Sequence, residues 1–283
     1  MAMPRRDVMI PLLLLLGLTL GAIVVPLSAD DPRTMGDVVA QRLLPPFTTD
    51  GDGAFHLLGT DRFGRDIFAR TMLAARISLV IGVLGSLLAG GVGIAIGALS
   101  AWRGGMVDRL LMAAADALLA IPRLILLLVC AALWRPGTVT VVAVLVATGW
   151  MAVARLVRAE VLGIRARPFV EGAAALGARP ARILWRHVLP NALGSAIVAI
   201  TLGVGGAILL ESGLSFLGLG VQPPQPSWGN MIADGRDAIV IAPWVALAPG
   251  VALIVTVVAA TFLGDALRDR LAGESVATLR DRA

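Results

Sequence analysis

Asp116 and Arg123 stand inside one long apolar run, and Glu211 near the end of another. Charge in such a run is costly unless it is paired or hydrated, and it usually faces a bundle interior or a water-filled cavity. The chemistries open to these groups are proton transfer, gating of a polar pathway and interhelical hydrogen bonding. Asp108, Met112 and Asp116 share a helical face at i, i+4 and i+8. Asp116 therefore fits an inner gate or a bond between helices. Arg123 follows Pro122, where a kink is expected, and is placed to pair with a neighbouring helix. Glu211 lies near enough to the end of its run to be hydrated, with structural and pathway roles equally open. Asp116, Pro122, Arg123 and Glu211 are the candidate pathway or gate positions.

The remaining reactive inventory excludes most catalytic classes. All 24 basic residues are Arg. A phosphate-binding Walker loop needs a Lys, so this chain does not hydrolyse ATP through one. Cys130 is the single cysteine, which precludes an intrachain disulfide and reads as a small apolar packer. With His56 and His187 alone, a His/Cys metal cluster has no ligands to draw on. No GxSxG nucleophile elbow is present. The expectation is a chain with no catalytic residue, no cofactor and no metal.

The elements that position these residues follow from composition. Of 283 residues, 58% are hydrophobic and 15% charged, and the mean hydropathy is +0.87. A soluble domain carries roughly 25% charge, so this is an integral membrane protein. Apolar runs lie at about 8–29, 77–101, 107–133, 139–157, 192–210 and 241–263. Each approaches the roughly 20 residues that a helix needs to cross a bilayer. The first could be read as a signal peptide after Arg5 and Arg6, but it is long for one and Leu27-Ser28-Ala29 is a poor cleavage site. Arg residues crowd the loops on one side, and the positive-inside rule places both termini in the cytoplasm. Positive loops flanking spans also account for the net charge of +5 without nucleic acid. The expected plan is an all-α protein of six transmembrane helices in a prokaryotic plasma membrane. Residues 1–29 form the first helix, and 30–76 an outer loop with an interfacial helix on the stripe Ile67, Phe68, Met72, Leu73 and Ile77. Residues 77–264 form a five-helix core with an inner loop at 158–190, and 265–283 a cytoplasmic tail. Glycine crowds the second and fifth runs, which suits close helix packing or an unobstructed pore lining.

The inner loop carries the most specific pattern, Glu171-Gly-Ala-Ala-Ala-Leu-Gly177, then nine residues to His187-Val-Leu-Pro190. Phe169, Gly172, Ala173 and Leu176 fall on one helical face. Gly177 is placed to end that helix, and a second short helix, 181–188, leads to Pro190. The residues alone admit a contact for a partner's cleft or an amphipathic helix on anionic lipid.

This segment resembles the EAA loop of ABC-importer permeases. Glu171, Ala173, Gly177, Leu189 and Pro190 fall on that pattern, while Gly172 stands where Ala is expected and His187 where Ile is. Further stretches resemble the dipeptide/oligopeptide/nickel branch, and in particular its C-type subunit. They are Leu58-Gly-Thr-Asp-Arg-Phe-Gly-Arg-Asp66, Arg76-Ile-Ser-Leu79, Trp102-Arg-Gly-Gly-Met-Val-Asp-Arg109, residues 116–122, Glu211-Ser-Gly-Leu-Ser-Phe-Leu-Gly-Leu-Gly220 and Pro223-Pro-Gln-Pro-Ser-Trp-Gly229. The resemblance implies a type I importer permease in which Glu171, Gly172, Ala173, Ala174, Gly177, His187, Leu189 and Pro190 couple to an ATPase. It implies a heterodimer with a second, similar permease, two P-loop ATPase subunits carrying ATP and Mg, and an extracytoplasmic substrate-binding protein. Short peptides are the expected cargo, with nickel as the alternative within the family. An autonomous proton-coupled carrier using Asp116 or Glu211 is the alternative from another class, though no inverted repeat supports it.

Overall fold

A computed structural model describes residues 5–28 and 38–280. The ten α-helices among them are α1 (Arg5–Ser28), α2 (Ile67–Arg103), α3 (Gly105–Leu119), α4 (Arg123–Ala132), α5 (Thr138–Arg165), α6 (Pro168–Ala175), α7 (Pro180–Ile183), α8 (Leu189–Phe216), α9 (Trp228–Gly235) and α10 (Trp244–Arg280). A short antiparallel hairpin, β1 (Thr48–Thr49) with β2 (Phe55–His56), sits in the segment before α2. The expected boundary at 29–30, residues 1–4 and the end of the tail at 281–283 lie outside the described residues.

Asp66 starts α2 by accepting the Ala69 amide at 2.7 Å, which satisfies one of the helix's orphan donors. No Gly or Pro interrupts the chain from Ile67 to Leu84 except Gly82, and helical bonding runs unbroken to Arg103. The stripe expected as a separate interfacial helix is thus the opening of the span itself. Gly104, at φ +63, ends α2, and its amide bonds the Ser100 carbonyl.

Among the described residues four helices are long and apolar enough to cross a membrane: Ile67–Arg103, Thr138–Arg165, Pro180–Phe216 and Trp244–Arg270. The run expected as one span at 107–133 is instead the pair α3 and α4, bent by 93°. Pro122 has an extended backbone at ψ 123. It lacks an amide proton and steers its predecessor away from helix, so the kink expected there becomes a break. The apolar stretch of α1, Met9–Val25, is shorter.

α2 packs along α5 and α8 through a face of small residues. Its buried positions include Ser78, Gly82, Gly85, Ser86, Ala89, Gly90, Gly93 and Gly97. A β-carbon at Gly93 would stand 2.7 Å from both the Trp150 carbonyl oxygen and Val153 Cβ, and one at Gly85 would stand 2.9 Å from Leu145. At Gly82 and Gly90 it would strike Ile208 and Ile200 of α8. These glycines set the distance between backbones. Gly91, by contrast, faces away, with nothing within 4 Å of its would-be β-carbon.

Gly93→Leu is therefore expected to destabilise the detergent-solubilised protein by about 1–3 kcal/mol through overpacking. Gly91→Ala should be neutral or stabilise by up to ~1 kcal/mol through helix propensity. Paired thermal-unfolding midpoints would reveal the difference, and equal midpoints would contradict this packing.

Candidate functional site

The inner loop is built as two short helices folded under the bundle. Pro168 occupies the first turn of α6, where a missing amide proton costs nothing. Glu171 adds a negative charge near that helix's N-terminus. The helix ends as Gly177 turns left-handed at φ +78. The Ala178 amide donates to the Ala173 carbonyl at 3.1 Å and the Gly177 amide to that of Ala174 at 2.9 Å. This is a Schellman stop, as the spacing predicts.

The face read from the sequence divides in two. Val170 is buried and Ala173 partly buried against Val161, Ile164, Ile183 and Val188. Glu171, Gly172, Ala174 and Gly177 are exposed. Leu176 is 91% exposed, and Phe169 and Trp185 are also open. A helix this short that holds apolar side chains outward presents a contact surface. The second short helix does not stop before Pro190. α7 passes through a wider π-type turn, Leu184–Val188, directly into α8. The extra residue absorbs the missing Pro190 donor. Asn191 Nδ2 donates to the His187 carbonyl at 2.6 Å, and Val188 and Leu189 are buried at the junction.

Above the loop, two acids of α3 meet two arginines of α5. Asp108 accepts from Arg158 Nε at 2.6 Å and Nη2 at 2.7 Å, and also from the Ser100 hydroxyl. Asp116 approaches Arg155 at 3.5 Å, with both side chains more than half exposed. The sequence shows Asp108 and Asp116 on one face; their partners lie at i and i+3 on a helix some forty residues away. Arg123 begins α4 and lies over Gly149 of α5, where a β-carbon would stand 3.3 Å from its Nη2. The structure does not bring Asp116 and Arg123 together as a pair.

Glu211 differs from the expectation of hydration. It is fully buried, and it accepts hydroxyl hydrogen bonds from Ser78 at 2.8 Å, Ser215 at 2.7 Å and Ser212 at 3.3 Å. Ser215 Oγ in turn accepts the Val221 amide at 3.0 Å, pinning the chain after α8. Ser78 is missed by sequence reasoning because it lies 133 residues away. The Glu-Ser-Gly-Leu-Ser run does carry the local signal for the other two.

The outer motif residues also serve structure. Asp61 accepts the Phe63 and Arg65 amides and Arg65 Nε at 2.7 Å, and Arg62 pairs with Asp234 of α9 at 3.1 Å. His56 Nδ1 lies 2.8 Å from Asp66. The Ala54 amide holds the Asp50 carboxyl below the usual carboxylate range. Trp228 is buried with its Nε1 on the Thr71 carbonyl.

Residues 93–273 match the family described as binding-protein-dependent transport system inner membrane component. A putative peptide permease protein of Brucella suis is 44% identical over 216 residues, covering 76% of this chain and 72% of that protein. The oligopeptide transport system permease protein OppC of Bacillus subtilis is 41% identical, with 76% and 71% covered. The glutathione transport system permease protein GsiD of Pectobacterium atrosepticum is 39% identical, with 78% and 74% covered. A structure of the inward-facing MetNI methionine ABC transporter matches at a TM-score of 0.58 and 20% identity, covering 71% of this chain and 96% of that one. That last likeness speaks for the fold alone.

The Asp108–Arg158 clamp gives a direct expectation. In a double-mutant cycle of Asp108→Ala and Arg158→Ala, the two should couple by about 1–2 kcal/mol. Additive losses of stability would show that the clamp contributes nothing beyond its separate residues.

Proposed function

The chain belongs to the family of binding-protein-dependent transport system inner membrane components, and we propose that it is one permease subunit of an ATP-driven importer of short peptides. It is a membrane transport component, not an enzyme. In this reading the chain spans the membrane six times with both termini in the cytoplasm, the bent α3–α4 pair and α1 completing the count. A second, similar permease lies beside it. Two ATPase subunits, with their ATP and Mg, sit below, and an extracytoplasmic binding protein delivers cargo from above.

The observation that carries the reading is the outward face of α6, with Leu176 at 91% exposure on a helix closed by the Gly177 stop. An ATPase cleft would close around Phe169, Gly172 and Leu176, while Val170 and Ala173 tie the same helix to α5 and α7. Closure of the ATPase pair would then pull on the bundle and alternate the access of the pathway. The peptide names of the relatives support the cargo. A nickel route would more often show His, Cys or clustered carboxylates, the ligands that metal prefers. A proton-coupled carrier is less well supported, since Asp116 faces Arg155 and three serines enclose Glu211.

Gly177→Arg would force a side chain onto a left-handed backbone and set a charge at the contact. It is expected to leave the membrane level of the chain near normal while reducing ATPase co-purification and peptide uptake at least tenfold. Full co-purification with full transport would remove α6 from the coupling role.

Deleting the gene is expected to abolish uptake of di- and tripeptides and leave nickel accumulation intact. Loss of nickel-dependent enzyme activity, restored by excess nickel, with unchanged peptide uptake would overturn the cargo.

A further inference from the structure

Arg123 lacks what Asp108, Asp116 and Glu211 have. Asp108 is held by Arg158, Asp116 faces Arg155, and Glu211 is bonded by serines. Among the described residues Arg123 has neither an ion-pair nor a hydrogen-bond partner. It lies over Gly149, near the middle of the α5 span and opposite Ala89 of α2, with its side chain partly exposed. An arginine in that position is expensive unless an anion or water compensates it.

The space beside it is built to admit something. A cavity of about 300 Å³ opens between α2, α5 and α8, with Arg123 in its wall. Apart from Ser86, the rest of its lining is glycine, alanine and larger aliphatic side chains such as Leu145 and Ile200. None of the lining residues is a carboxylate. The Ser86 hydroxyl is already committed, donating to the Ile200 carbonyl at 2.7 Å. The guanidinium is therefore the one formal charge in the wall, and it offers several donors in a planar fork. That fork matches a carboxylate, which it can bind through two parallel hydrogen bonds. A free divalent cation would be repelled.

We infer that Arg123 and this cavity form a transit site for the terminal carboxylate of a peptide in passage. This rests on the peptide-import reading above and adds to it the chemical group that the membrane pathway itself reads. One charge on an otherwise neutral wall attracts the carboxylate without enclosing it, and a conduction site must bind weakly enough to release. The break at Pro122 begins a new helix at Arg123, whose exposed side chain reaches the cavity at Gly149.

The test uses the complete transporter in proteoliposomes with its ATPases and binding protein. Dialanine and its C-terminal amide are supplied together, and the ratio of acid to amide taken up is read by mass spectrometry. Comparing variant with wild type cancels the binding protein's own preference, since the same protein serves both. Arg123→Gln is expected to lower the acid-to-amide ratio at least tenfold, and Arg123→Lys to keep it within about threefold of wild type. A Gln variant that carries neither peptide, beside a Lys variant with the wild-type ratio, also supports the site. An unchanged ratio in the Gln variant, whatever its absolute rate, assigns Arg123 to contact with a neighbouring subunit and overturns the proposal. Loss of both peptides in both variants, with the complex assembled, overturns it as well. Wild-type vesicles that accumulate neither peptide would defeat the peptide reading itself and the site with it.

Discussion

Surrounded by lipid, an apolar side chain gains little by moving from acyl chains to another helix, so helices hold together by fit and by the few polar bonds between them. α2 is where that condition is met most fully. Its small residues recur every three or four positions from Ser78 to Ala101, and the α5 backbone and the α8 side chains Ile200 and Ile208 come so close to its glycines that β-carbons there have no room. Three polar bonds run from α2 to its neighbours. Ser78 reaches Glu211, Ser86 reaches Ile200, and Ser100 reaches Asp108 only because α2 lies this near its neighbours.

The sequence makes the local features legible and leaves the paired ones hidden. The Gly177 stop is readable because a left-handed turn has a glycine signature at a fixed offset. The apolar runs are readable because hydropathy sums over many residues. Pro122 announces a kink, but the 93° turn between α3 and α4 depends on what those helices pack against, and no local signal carries that. Glu211 shows the limit most clearly. Its position near the end of a run suggests water, yet its enclosure depends on Ser78, contributed from far along the chain. The same holds for Asp108 and Asp116, whose common face is visible while their arginines on α5 are not. The stripe from Ile67 to Ile77 is a different case: an amphipathic opening turn and a separate interfacial helix share one pattern, and continuity decides between them.

The charges of the bundle fall into two groups. Near the inner end, Asp108 with Arg158 and Asp116 with Arg155 join α3 to α5. The first pair is bidentate and partly sheltered, a geometry that fixes orientation as well as distance. The second is long and open to solvent, and exposed pairs of that kind contribute little. The first therefore holds α3 in register, and the second is free to break.

Force applied at the inner loop has a defined route into the membrane. Val170 on α6 and Ile183 on α7 belong to the same buried cluster as Val157, Val161 and Ile164 on α5, Ala98 and Ala101 on α2, and Ala192 and Ala196 on α8. Close-packed interiors transmit displacement rather than absorb it. α7 also continues through the π-type turn into α8 without a flexible joint. A pull on α6 and α7 would thus reach α8 along its own axis and α5 through side-chain contact. Those are two of the three helices that wall the Arg123 cavity. The third, α2, packs closely against both along its small-residue face. The small-residue face that assembles the bundle is thereby also the part that would convert motion at the loop into a change at mid-membrane.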